Sequence, residues 1–328
     1  MFTSTPPPVA SGSTSTRSKL AGLIADLGPH RGPSRMLTYT ALFWMASAAF
    51  HTVVFVLSDT PWSGAVSWRK PIVFSLSIGL MLWAFGWVLD RLPHRPRLAT
   101  SLAVVFAASS TVEVGLIALQ QWRGRASHFN TFESGDALIF GVMGVMVGVM
   151  SLMLVALFVW SLVERPANRV ERIAIVAGMA MIMSGLGIGQ WLITLGFTYA
   201  DQFNQVPETV TNGEAGQPKF PHAVAFHGIQ VLMVAAALLG RSTIGEATAA
   251  LVMRLTALSY FGVLVFSAVQ TFDGRAPLDL NLISGPLLAL SLIGLVGLLA
   301  LMVQWWRKSP VDAGPSQAVD IDRSKRPD

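Results

Sequence analysis

Cysteine is absent from all 328 residues. That single absence excludes disulfides, thiolate metal sites, iron–sulfur clusters and cysteine nucleophiles. Charge is scarce too: Asp, Glu, Lys and Arg make up 12% of the chain, against the ~25% of an average soluble domain. The first residues lack the basic, apolar and cleavage pattern of a signal peptide, so the first apolar run is expected to act as an uncleaved anchor. No convincing internal repeat is visible either, which argues against an inverted-repeat transporter. What remains is apolar. Hydrophobic residues reach 52%, and a net charge of +5 is too small to make nucleic acid a good partner.

Eight long apolar runs, each near the ~20 residues that cross a bilayer, fall at 36–58, 71–89, 98–119, 137–163, 173–197, 221–240, 249–270 and 280–304. They predict an all-α fold: a polytopic membrane helix bundle of about eight transmembrane helices with the lipid bilayer as its partner. Residues 1–35 are expected to form a disordered or interfacial arm, 36–306 the transmembrane domain and 307–328 a disordered tail. Within the arm, residues 1–16 are low in complexity, whereas Leu20, Leu23, Ile24 and Leu27 have the spacing of a helix on the membrane surface. Counting Lys and Arg on alternate sides gives 17 against 6, which predicts that the N and C termini are both cytoplasmic. Trp62, Trp68 and Trp122 then mark outer span ends. Gly141, Gly144 and Gly148 read as a stripe for close helix approach, and Gly185, Gly187 and Gly189 as helix packing rather than a nucleotide loop.

Ionisable groups inside a membrane are expensive and mark functional sites. On this topology His51, Glu113, Gln190 and His227 fall at one depth in the outer half, roughly 9–10 Å below the surface at 1.5 Å per helical residue. His51, Glu113 and His227 suit a first shell for zinc or non-haem iron, or imidazoles facing across helices for haem. The alternative is that each polar group simply hydrogen-bonds a neighbouring helix. His128 and His222 are candidate additional ligands or proton carriers. Gln230, three residues after His227, is placed to orient it. At the outer mouth Arg69, Lys70, Arg123 and Arg125 run against the positive-inside tendency and suit an anionic or quinone-like small molecule. Asp59, Asp136 and Asp273 stand as counter-charges, and the loop 198–220 is long enough to cover the site.

Trp68-Arg-Lys70-Pro71, Arg123-Gly-Arg-Ala-Ser-His128-Phe-Asn130 and His222-x4-His227-Gly-Ile-Gln230 resemble a family of bacterial polytopic membrane proteins of uncharacterised function. The resemblance implies a bacterial inner membrane and the same helical domain, and carries no activity with it. Two functions compete on the residues. One is a metal or haem enzyme in the outer leaflet, with Glu113 as ligand or base and Arg123 holding substrate. The other is a proton-linked permease or binder of a small polar or anionic solute. A third possibility is a ligand-free assembly partner. A scarcity of polar residues in the inner half counts against transport through the chain.

Overall fold

The computed structural model describes residues 12–166, 168–207 and 215–310. Those residues are all-helical, with no strand among them. Residues 1–11 of the stretch expected to be disordered, residues 311–328 of the expected disordered tail, and the middle of the expected covering loop lie outside the described residues.

The chain runs α1 (Gly12–Leu27), α2 (Gly32–Val56), α3 (Arg69–Arg91), α4 (Pro96–Trp122) and α5 (Ser134–Val163). It continues through α6 (Arg169–Phe203), α7 (Lys219–Gly240), α8 (Glu246–Phe272) and α9 (Ser284–Lys308). From α2 onward, all eight are long and apolar enough to cross a membrane. The chain is therefore a multi-pass membrane protein by length and composition. Several boundaries differ from expectation, and α9 runs to Lys308, into the tail expected to be disordered. The helix in the arm begins at Gly12, inside the stretch expected to be disordered, and α6 runs to Phe203, into the expected loop. Asn204 ends α6 in the left-handed conformation (φ 51°) that a short polar side chain tolerates.

The expectation of no internal repeat is overturned. Gln120, Gly124, Arg125 and Ala126 close α4, and Gln270, Gly274, Arg275 and Ala276 close α8, 150 positions later. Both glycines have φ 66°, and both turns share the same bonds: Arg125 N to Gln120 O and Arg275 N to Gln270 O, each 2.9 Å. The side chains buried on α4 (Ala99, Leu102, Ala103, Phe106, Ala107, Ser110) recur on α8 as Ala249, Val252, Met253, Thr256, Ala257 and Tyr260, again 150 positions on. The first turns of α3 and α7 match at the same offset. Lys70 N donates to Ser67 O at 3.1 Å as Phe220 N does to Gln217 O at 3.0 Å. For α2 and α6 the offset is 137, pairing buried Leu37, Ala41, Trp44 and Ala48 with Ala174, Gly178, Met181 and Gly185.

Packing repeats as well. α2 lies along α3 as α6 lies along α7, and α4 against α5 as α8 against α9. The bundle is thus two four-helix halves, α2–α5 and α6–α9. Four crossings per half is an even number, so both halves face the same way. This is a parallel repeat about an axis along the membrane normal, not an inverted one. Equivalent residues touch one another only beside such an axis. Ser77 of α3 and His227 of α7 are equivalents, and Ser77 Oγ approaches His227 Nε2 to 3.5 Å. The axis therefore runs down the seam between α3 and α7. These are also the most enclosed spans, 61% and 56% buried, whereas α9 is 11% buried and turns its leucines outward.

Glycine sets the closest approaches. A Cβ at Gly185 would meet the Phe226 ring at 2.6 Å, and one at Gly189 would meet His222 at 3.0 Å, so these two seat α7 on α6. Gly187, between them, meets nothing within 4 Å. Nor do Gly141, Gly144 and Gly148, so the expected packing stripe on α5 faces open space in the described structure. A Cβ at Gly178 would lie 2.9 Å from Ile229 Cα. Gly178→Leu is expected to cost about 1–3 kcal/mol by overpacking, whereas Gly187→Leu is expected to be nearly neutral. Thermal denaturation in detergent separates them, and equal losses would refute the close seam.

Candidate functional site

For brevity, the face carrying α1 is the α1 face and the opposite one the far face. The expected site residues all lie toward the far face, but the structure sorts them into four separate arrangements.

His51 is the hub of an aromatic box on α2. Trp122 Nε1 donates to its Nε2 at 3.3 Å, and its Nδ1 donates to Ser47 O at 2.9 Å. Trp68 stacks on the ring at 5.7 Å. With both nitrogens engaged, the imidazole has no lone pair left for a ligand.

Arg123 belongs to a loop clasp. Its Nη1 donates to Gln120 Oε1 at 2.6 Å and pairs with Asp136 Oδ1 at 3.2 Å. The Asp136 carboxylate, fully covered, also accepts from Gln120 Nε2 and Asn130 Nδ2, each at 3.0 Å. Arg125 adds a bond to Glu133 at 2.7 Å. Asp136 sits in the first turn of α5, where a negative charge also suits the helix dipole. The charge expected to hold substrate is therefore answered by an internal carboxylate, and Arg123 is a fastening residue of the 123–133 loop.

Glu113 is buried on α4 at 2% exposure, and its Oε2 has no hydrogen-bond partner. Neither His51 nor His227 joins it. No three His, Cys, Asp or Glu residues among the described ones lie close enough to hold a metal ion. The set proposed for zinc or iron is thus not assembled, because His51 is turned into its tryptophan box and His227 toward the α3–α7 seam. Gln190 is likewise out of place: it is exposed on α6, one residue round from the packed Gly189. Glu113→Leu is expected to stabilise the purified protein by about 1–2 kcal/mol, by removing a buried polar group with no partner. A lower melting temperature would show instead that Glu113 has a partner.

The fourth arrangement is a cationic cluster at the far end of the seam. α3 and α7 begin there with Arg69-Lys70-Pro71 and Lys219-Phe220-Pro221, and neither N-cap supplies a side-chain bond. Basic residues in a first helical turn oppose the macrodipole, which makes helix N-termini favour anions. Here that happens twice, at equivalent positions. Lys70 is 7% exposed and its Nζ has no hydrogen-bond partner among the described residues. No described carboxylate forms an ion pair with Lys70 or Lys219. Lys219 lies within electrostatic reach of Arg69 and Lys70.

His128 comes down from the α4–α5 loop within electrostatic reach of both lysines. Burial, with Lys70 and Lys219 beside it, pushes its imidazole down to about 3, so it is neutral at pH 7. Its Nδ1 meets Ser127 Oγ at 2.9 Å, and Phe74 packs at 5.4 Å between ring centroids. The plug that carries it is fixed by Phe129, which sits against Gly196 of α6 at a φ of 56°. His222 donates from Nδ1 to Gly185 O at 2.9 Å, which leaves Nε2 as an acceptor. It lies within electrostatic reach of His227 and Lys219. Gln230, with its amide nitrogen turned toward them, meets the Phe226 and His227 backbone carbonyls of its own helix at 3.2 and 2.9 Å.

Of the expected residues, Lys70, His128, His222, His227 and Gln230 are brought together along the seam. His51, Glu113, Gln190 and Arg123 are not. Lys219 and Ser77 join the cluster without having been singled out, and the signal that finds them is the 150-residue offset from Arg69 and to His227. Compared with known proteins, the chain matches no family model, no curated protein and no solved structure.

Proposed function

We propose that this multi-pass protein sits in a bacterial inner membrane with its α1 face in the cytoplasm, and binds a small anionic solute at the outer end of the α3–α7 seam. Orientation rests on the 17-to-6 distribution of Lys and Arg, and the bacterial membrane on the motif resemblance. One observation carries the anion reading: the buried Lys70 ammonium offers three donors and has no hydrogen-bond partner among the described residues. A buried charge in that condition is costly unless a counter-charge arrives. Lys219 adds a second basic group, and neutral His128 and the His222 ring add polar contacts. Solute binding or permeation is favoured over metal or haem enzymology, because the anion groups converge and the metal groups do not.

The test is titration of the detergent-purified protein with inorganic phosphate and with succinate, followed by calorimetry. Saturable binding of one equivalent that Lys70→Met weakens at least 30-fold is expected, the equivalent of losing about 2 kcal/mol of charge-assisted hydrogen bonding. Binding indifferent to Lys70 would overturn the reading.

A further inference from the structure

The same two helices that bring basic residues together at the far face do so again at the α1 face. α3 ends on Arg91 and α7 is followed by Arg241, and these are equivalents in the two halves, 150 positions apart. Both are mostly covered, with side chains 11% and 13% exposed. Both are held by one residue of α1. The Asp26 carboxylate receives Arg241 through a two-point fork, Nε to Oδ2 and Nη2 to Oδ1, the latter at 3.0 Å. The Asp26 backbone carbonyl receives Arg91 Nη2 at 2.9 Å. Arg91 keeps Glu171 of α6 on its Nε at 2.9 Å and stacks over Trp87 at 4.1 Å, so Nη2 is the part of it turned toward α1.

α1 is an added element with no counterpart ahead of α6. Its Leu23 and Leu27 pack against the hydrophobic core, and polar contacts fasten it as well. Lys19 Nζ donates to Arg307 O at 2.6 Å, and Leu27 O accepts from Trp83 Nε1 at 2.8 Å. A Cβ at Gly22 would run into the Arg241 guanidinium, so the helix is seated directly on that arginine. A guanidinium fork of this kind recognises any centre that presents two oxygens, whether carboxylate or phosphate. Asp26 is such a centre, supplied on a tether.

We infer that Arg91 and Arg241 form a second anion site at the α1-face end of the α3–α7 seam, and that Asp26 of α1 occupies it as a tethered surrogate. A solute carboxylate or phosphate takes the Arg241 fork and Arg91 Nη2 when α1 withdraws. This inference rests on the reading that the seam carries anions from the far face. Together the two sites give the seam a cation pair at each end, one free to take solute and the other closed by the chain itself. The tether holds Asp26 at an effective concentration of the order of millimolar, so α1 acts as a plug that yields only to abundant solute or to a partner that removes it.

The test is calorimetric titration of the full-length protein in detergent with succinate and, separately, inorganic phosphate. Wild-type protein is expected to bind one equivalent, which Lys70→Met removes. Asp26→Ala is expected to bind a second equivalent at least tenfold more tightly than wild type at that site. This second equivalent survives Lys70→Met and is lost when Arg241→Gln is added. If the first equivalent is present and Asp26→Ala adds none, the second site is refuted while the far-face reading stands. If Asp26→Ala gains an equivalent and wild type shows none that depends on Lys70, the far-face reading fails and the second site stands.

Because Asp26→Ala removes a fastening of α1, a second measurement leaves that contact intact. The chain has no cysteine, so Ala21→Cys on α1 and Thr243→Cys beyond α7 can be spin-labelled alone. Both positions are exposed. Saturating phosphate is expected to populate a longer distance between the labels. A distance distribution that phosphate leaves unchanged would overturn the plug.

Discussion

Replacing Lys70 with methionine is expected to raise the melting temperature of the ligand-free protein and to abolish its stabilisation by anions. The two effects have opposite signs, and their combination is diagnostic. Lys70 is 7% exposed and its Nζ meets no acceptor, so the ligand-free fold carries the desolvation cost of an unanswered ammonium. Methionine keeps the unbranched stem and removes the charge. A gain of about 1–3 kcal/mol follows, or a rise of several degrees. In wild-type protein an anion at one hundred times its dissociation constant adds about 2.7 kcal/mol of stability by mass action. In Lys70→Met that increment should nearly vanish. A purely structural lysine would behave the other way: its loss would lower the melting temperature and leave anion-dependent stabilisation as it was. Differential scanning fluorimetry with and without phosphate and succinate reads both quantities in one experiment.

Removing the Asp136 carboxylate is expected to be the most destabilising single change in the far-face loops. Four groups converge on it: Arg123 at 3.2 Å, Arg125 at 3.7 Å, and the buried amides of Gln120 and Asn130 at 3.0 Å. The clasp lies at the mouth of the bundle, and the carboxylate is sealed by the partners it binds rather than by lipid-facing core. The two arginines are 40% and 44% exposed and can turn to water. The amides cannot, since Gln120 is 0% and Asn130 8% exposed. Most of the penalty therefore falls on stranded amide donors, and Asp136→Ala is expected to cost about 3 kcal/mol. In thermal denaturation that is a fall of roughly 4 °C for a chain of this size.

The clasp also fixes the loop that delivers His128 within electrostatic reach of the lysines. Asp136→Ala should consequently weaken anion binding even at temperatures where the protein is fully folded. If stability fell and anion affinity did not, the loop would not be what positions His128.

Most of the far-face cluster was legible as chemistry in the chain itself. Basic residues on the side expected to avoid them, and histidines within or beside apolar runs, single out Lys70, His128, His222 and His227 without any coordinates. Depth along a span was legible too, since helical rise is fixed. Rotation about the span was not. His51, Glu113 and Gln190 share a depth with His227, yet one is turned into a tryptophan box, one is buried away from the histidines and one faces outward. A helix of nearly uniform apolarity carries almost no amphipathic signal, because lipid and protein interior make similar demands on a side chain.

The duplication was hidden for the same reason. Between α3 and α7 only Pro71/Pro221, Leu82/Leu232, Leu89/Leu239 and Arg91/Arg241 coincide at the 150-residue offset. Apolar side chains exchange freely where only burial is required. The repeat survives in the turn after α4 and α8, where a positive φ demands glycine and a glutamine must satisfy loop carbonyls. The sequence by itself determined the medium, the number of crossings, the basic asymmetry and the residues too costly to be accidental, since each follows from transfer energies counted along the chain. Only the tertiary structure decided which of those residues meet. That depends on how two four-helix halves pack across the α3–α7 seam, placing Lys70 beside Lys219 at one end and Arg91 beside Arg241 at the other, with Asp26 between them.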